Sequence, residues 1–140
     1  MACIVARGTT FSWDGNEVAG VVDIGGPSPS APTVDCTDLS DTDASKVQAA
    51  IRDGGEFPVQ CNFDQTDANG QIQMISDSAG LLTSKPWVIT WNDGNVTPGT
   101  VAGNGFVVGY EFGNITLDGK IEITFTVSVD GSVTVTPGTP

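Results

Sequence analysis

The ten residues Lys120–Val129, KIEITFTVSV, alternate without a break. Ile121, Ile123, Phe125, Val127 and Val129 fall on one side; Glu122, Thr124, Thr126 and Ser128 fall on the other. A period of two puts the apolar set on one face of an extended chain, which a helix cannot do. The residue types agree, being mostly β-branched or aromatic. Such a strand has one dry face and one wet face, and it needs partners with the same division.

The rest of the chain supplies them. Glu56–Phe63 sets Phe57, Val59, Cys61 and Phe63 against Glu56, Gln60 and Asn62. Pro86–Asn92 sets Trp87, Ile89 and Trp91 against Val88, Thr90 and Asn92, and Thr100–Phe112 places Phe106, Val108, Tyr110 and Phe112 together. Glu17–Ile24 alternates in part, with Val18, Val22 and Ile24 on one face. Turn signals separate these runs: Asp14-Gly15-Asn16, Asp93-Gly94, Gly113-Asn114, Asp118-Gly119 and Asp130-Gly131, the last expected to turn the chain into Ser132–Thr136. Phe11 and Trp13 lie in residues 1–16, expected as an N-terminal arm or edge strand. The main domain is expected over 17–136 and a disordered tail over 137–140.

One helix is expected, over about 43–53. Asp41, Thr42 and Asp43 suit its start, Val47, Ala50 and Ile51 form an apolar stripe, and Gly54-Gly55 suits its end. Gln65–Ser84 reads as a long connection in which Ile72 and Ile75 make at most one helical turn. Together these segments predict a mainly β fold: an antiparallel sandwich or partly closed barrel of seven to eight strands with one flanking helix.

Composition narrows function. Seventeen acidic residues stand against five basic ones (Arg7, Lys46, Arg52, Lys85, Lys120), a net charge of −12. That balance opposes gripping nucleic acid, which requires cations, but not its passage along a repelling wall. There is no histidine, and Cys3, Cys36 and Cys61 lack metal-ligand spacing, so they read as reduced thiols. Asp35, Asp38, Asp41 and Asp43 lack the glycine of a calcium loop, and Gln65–Ser76 lacks its carboxylates at both ends. No metal, cofactor or catalytic residue is expected. No apolar run reaches membrane-spanning length, and the N-terminus lacks the layout of a signal peptide.

The ordered series VDCTDLSDTD (Val34–Asp43), IRDGGEFPVQCNFD (Ile51–Asp64), VITWNDG (Val88–Gly94), GFVVGYEFG (Gly105–Gly113) and IEITFTVSVDGSV (Ile121–Val133) resembles the major tail tube proteins of long, non-contractile-tailed bacteriophages. The resemblance runs colinearly over about 17–135; the first 16 residues have no clear counterpart, and some family members continue into an immunoglobulin-like domain at the point where this sequence reads Thr-Pro-Gly-Thr-Pro.

The resemblance implies a structural virion protein, six copies to a ring, with rings stacked into a tube that conducts DNA during ejection. Its partners would be other copies of itself, a tape-measure protein and tail initiator and terminator proteins. DNA would pass without specific binding, and no membrane would be involved. The protein would be assembled in the bacterial cytoplasm and reside in the tail. Glu56, Gln60, Asn62, Glu111, Glu122, Thr124 and Thr126 are the candidates to face the lumen. Gly25, Pro27, Pro29, Asp67, Asn69, Gly70 and Asp77 are the candidates for loops between rings. Two alternatives stand beside it: an immunoglobulin-like module binding glycan or protein through exposed Trp87 and Trp91, and an acid-catalysed hydrolase.

Overall fold

The computed structural model describes residues 7–48, 52–80, 83–92, 94 and 96–139. Strands β1 (Thr10–Trp13), β2 (Asn16–Glu17), β3 (Val21–Ile24), β4 (Thr33–Asp35), β5 (Lys46–Gln48) and β6 (Glu56–Asn62) precede helix α1 (Gln71–Asp77). Strands β7 (Lys85–Thr90), β8 (Thr100–Phe112) and β9 (Glu122–Thr136) follow it. All except β4 and β5 form one antiparallel sheet in the order β2-β1-β7-β8-β9-β6-β3, curled into a half-barrel.

The fold is mainly β, with one helix among the described residues, as the alternation predicts. A single sheet curling on itself does the work of two facing sheets. Its core side buries Phe11, Trp13, Phe57, Val59, Trp87, Ile89, Val101, Val107, Ile123, Phe125 and Val127. Helix α1 lies on that side and contributes the fully buried Met74. Phe57 packs edge-on against Trp87, with ring centroids 4.8 Å apart, and against Phe11 at 6.2 Å. A Cβ on Gly103 would sit 2.9 Å from the Trp87 ring, so this stretch of β8 approaches the indole only because it has no side chain.

The expected helix over 43–53 is not formed where the chain is described. Lys46–Gln48 is a strand, pairing with Thr33–Asp35 through Asp35↔Lys46, Val34↔Val47 and Thr33↔Gln48. The acids expected to cap a helix instead hold turns: the Thr37 amide donates to Asp35, the Ser40 amide to Asp38 and the Asp38 amide to Asp41. Val47 meets Val34 across the ribbon, not a core; Ala50 and Ile51 lie outside the described residues. The helix forms at Gln71–Asp77, inside the segment expected to be mostly loop.

Phe11 and Trp13 are likewise fully buried, and β1 is built into the sheet between β2 and β7. Asp14-Gly15 turns it into β2, with both residues at positive φ (53° and 81°), as a two-residue hairpin requires. Bulges explain the other differences. A register shift between Val21 and Asp23 leaves Val22 half-exposed while Val21 and Ile24 pack inward. A second shift at Val108 puts Val107, not Val108, in the core. Asp130-Gly131 bulges within a continuous β9 and does not end it. Thr139 pairs with Thr97, so the chain is tied down where a frayed tail was expected.

Candidate functional site

The seven residues expected to face a lumen come from three neighbouring strands, and pairing puts them on one surface. In the β6–β9 ladder Gln60 stands opposite Thr124, Asn62 opposite Glu122, Pro58 opposite Thr126 and Glu56 opposite Ser128. In the β8–β9 ladder Glu111 stands opposite Thr124. Directly opposed residues share a face, so Glu56, Gln60, Asn62, Glu111, Glu122, Thr124 and Thr126 form one polar field on the side away from the core. The Gln60 amide donates to the Glu122 carboxylate at 2.6 Å, tying β6 to β9 across it. None of the five cations belongs to these strand positions. Lys120, at the margin, pairs with Glu122 at 3.4 Å, and Lys85 is held on the core side by Asp77. The field carries three carboxylates, Glu56, Glu111 and Glu122, and no cation.

The candidates for inter-ring loops divide. Gly25, Pro27 and Pro29 belong to the irregular segment that follows β3. Asp67, Asn69 and Gly70 lead into α1, and the Asp67 carboxylate accepts from the amides of Gln71 (3.0 Å) and Ala19 (2.9 Å), anchoring the helix start. The buried Gln71 side chain continues the anchor, donating to the carbonyls of Ala19 and Asn62. Asp77 is not on a loop surface. It is buried within α1, accepting from the Trp13 indole N–H at 2.7 Å, Gln73 at 2.9 Å and Lys85 at 3.0 Å. Burial raises its pKa, but the hydrogen bonds from Trp13, Lys85 and Gln73 outweigh that and hold the carboxyl below its ordinary 3.8.

The outline of the sheet is a feature that residue patterns alone did not show. Among the described residues, strand β7 pairs with β8 only from Thr100 to Gly105, leaving Phe106–Phe112 without a strand partner on that side. Among them also, strand β6 pairs with β9 only from Glu122 to Ser128, leaving residues 130–136 without a strand partner on the opposite side. Among the described residues no backbone hydrogen bond reaches either edge. The two open edges lie at opposite ends of the β8–β9 pair and on opposite flanks. Beside each, the sheet carries an overhang: β7-β1-β2 on one flank, β6-β3 on the other. The outline is a step whose two sides are complementary.

Trp87 is fully buried and Trp91 is half-buried against the core. Burial pushes the Cys61 thiol up to about 12, so it stays protonated. Among the described residues no group of three or more His, Cys, Asp or Glu side chains is placed to hold a metal. Among them also, no helix is long and apolar enough to cross a membrane.

No family model and no curated protein matches the chain by sequence. Solved structures do match by shape. The fold is similar to a chain in the sheath/tube terminator of an extracellular contractile injection system (PVC), with TM-score 0.77 and 13% identity over 96% of this chain and 97% of that one. It is similar to the SPP1 tail tube, with TM-score 0.71 and 11% identity over 99% of this chain and 81% of that one. It is also similar to a chain of the 6-fold symmetrised anti-feeding prophage baseplate, with TM-score 0.70 and 8% identity over 98% of each chain. The chain therefore has the fold of phage-like tail tube, terminator and baseplate proteins.

Proposed function

We propose that this protein is a structural subunit of a virion tail tube. Copies join edge to edge into six-membered rings, and the rings stack into a conduit for DNA. The observation that carries this is the stepped sheet. The overhang of β6-β3 on one copy fits beside the free edge of Phe106–Phe112 on its neighbour. The neighbour's β7-β1-β2 in turn fits beside the first copy's free edge at 130–136. Such pairing uses different surfaces on the two partners, so it repeats around a ring and leaves no exposed edge when the ring closes. The 6-fold baseplate of similar fold supports the ring size.

The polar field of Glu56, Gln60, Asn62, Glu111, Glu122, Thr124 and Thr126 then faces the channel. DNA is repelled, not held, and no catalytic step is needed. A tape-measure protein in the lumen and initiator and terminator proteins at the tube ends complete the partners. Assembly takes place in the bacterial cytoplasm. A glycan-binding groove of exposed tryptophans loses its basis with Trp87 fully buried. For a hydrolase, the groove lined by Val21, Ile24, Ile89 and Trp91 has a single carboxylate, Asp23, among its lining residues.

Hydrogen exchange tests the edge pairing. Amides of 106–112 and 132–136 that exchange quickly in the monomer become protected on assembly, while those of α1 do not change. Equal exchange at both edges before and after assembly refutes it.

A further inference from the structure

The lateral pairing proposed above uses four segments: β2, β3, Phe106–Phe112 of β8 and residues 130–136 of β9. Three of them contain an irregularity. On β3, Val21 stands opposite Cys61 and Asp23 opposite Gln60, so Val22 is an extra residue. On β8, Val107 stands opposite Val127 and Gly109 opposite Thr126, so Val108 is extra. Towards the end of β9, Ala102 stands opposite Thr134 and Asn104 opposite Asp130, so residues 131–133 face Gly103 alone. Among the described residues the register of the sheet shifts nowhere else; the β1–β7, β7–β8 and β6–β9 ladders run without a break. The fourth segment, β2, is only two residues long. Each of the four also carries one acid and no cation: Glu17, Asp23, Glu111 and Asp130.

We infer that these edges are a built-in brake: bulges, shortness and like charge keep free copies from pairing in solution, so that tubes grow only from a completed ring. This rests on the tube assembly proposed above and names what regulates it. Short edge strands, bulges and edge charges are the devices by which soluble proteins protect unpaired strands, and a bulge interrupts the ladder it sits in. Strand direction permits the join. β3 runs antiparallel to β6, β6 to β9 and β9 to β8. Copies in one ring point the same way, so β3 of one copy meets Phe106–Phe112 of the next in the antiparallel sense used throughout the sheet. The bulge at Val108, however, leaves Gly109–Phe112 as the longest regular stretch on that edge. Asp23, opposite Gln60, and Glu111, opposite Thr124, both belong to the polar face, where they repel across the join. One join is therefore short and opposed by charge. Closing a ring adds a further join without immobilising a further copy, so the ring persists where the pair does not.

The test follows assembly by light scattering, with and without fragments of preformed tubes as seeds. The wild type is expected to show a lag that seeds abolish. Deleting Val108, or separately Val22, removes the extra residue and keeps the flanking pairs in register. With folding checked by circular dichroism, each deletion should shorten the unseeded lag and lower the concentration needed for unseeded growth roughly tenfold, the scale of one or two added backbone hydrogen bonds. Asp23 is exposed, so Asp23→Lys leaves folding unchanged. It should lower that concentration roughly fivefold by facing Glu111 of the next copy, and Glu111→Lys in the same chain should reverse the gain. Folded deletion variants that keep the wild-type lag overturn the role of the bulges. Asp23→Lys without acceleration overturns the role of the acids, and decides alone if neither deletion folds. Wild-type protein that forms tubes at once without seeds overturns the brake and leaves the tube intact. Wild-type protein that forms neither rings nor tubes overturns both together.

Discussion

Replacing Asp77 by alanine separates a structural anchor from a surface contact. The carboxylate is buried and takes hydrogen bonds from three side chains on three elements: Trp13 of β1, Gln73 of α1 and Lys85 of β7. Its loss leaves the Trp13 indole N–H without a partner inside the core, at a cost of about 1–3 kcal/mol. It also leaves the Lys85 ammonium, 23% exposed, without its closest anion. Partial exposure lets water and Asp14, 3.7 Å away, compensate, so that term adds only about 1 kcal/mol. The expected destabilisation is about 3 kcal/mol, or roughly 10 °C in Tm for a domain of this size. Asp77→Asn, which keeps an acceptor for the indole, should lose about half as much. Chemical denaturation of the monomer measures both. The sign of the pH dependence follows from the depressed pKa: the wild type holds the Asp77 contribution above its ordinary 3.8 and loses it as pH falls through the lower folded value. Neither variant shows that component. A change below about 0.5 kcal/mol in Asp77→Ala, with stacking impaired instead, refutes the anchor and returns Asp77 to the inter-ring loops.

Three further outcomes follow from the same geometry. Gln60→Lys with Asn62→Lys puts two cations on the polar field without touching the core; folding and tube formation persist, but DNA ejection from particles carrying the variant slows, and unchanged ejection places that field elsewhere. Assembly of a subunit with net charge −12 is opposed by mutual repulsion, so raising salt from low to physiological concentration should speed polymerisation measured by light scattering. Replacing residues 34–47 by a short Gly-Ser linker removes a ribbon whose described strand residues are all exposed. It should change monomer stability by less than about 1 kcal/mol, since an isolated two-stranded ribbon adds little.

The strands were legible wherever one face is buried and the other wet. Glu56–Asn62 and the stretch from Glu122 to Val129 carried their pattern in full because each is flanked by strands on both sides and covered on one face. Their polar residues share a surface because the two strands pair directly. The phase of β8 was not legible, because a bulge at Val108 shifts it and the sequence around Val107-Val108 is apolar on both parities. The helix was misplaced for a related reason. Asp41-Thr42-Asp43 and Gly54-Gly55 are end signals that turns share with helices, and no core surface is available to receive a stripe at Val47. Helix α1 has no charged residue of helpful sign in its first or last turn. It is fixed by long-range partners, Asp67 and Gln71 at its start and Trp13 and Lys85 at its end, which local sequence cannot reveal. Nor could it reveal the stepped outline, which depends on where β6 and β7 stop relative to β8 and β9.

Electron microscopy of the purified protein, alone at high concentration and with tail initiator proteins, tests the central claim most directly. Six domains around a channel predict rings about 100 Å across that stack into tubes. Particles that remain monomeric under both conditions would contradict it.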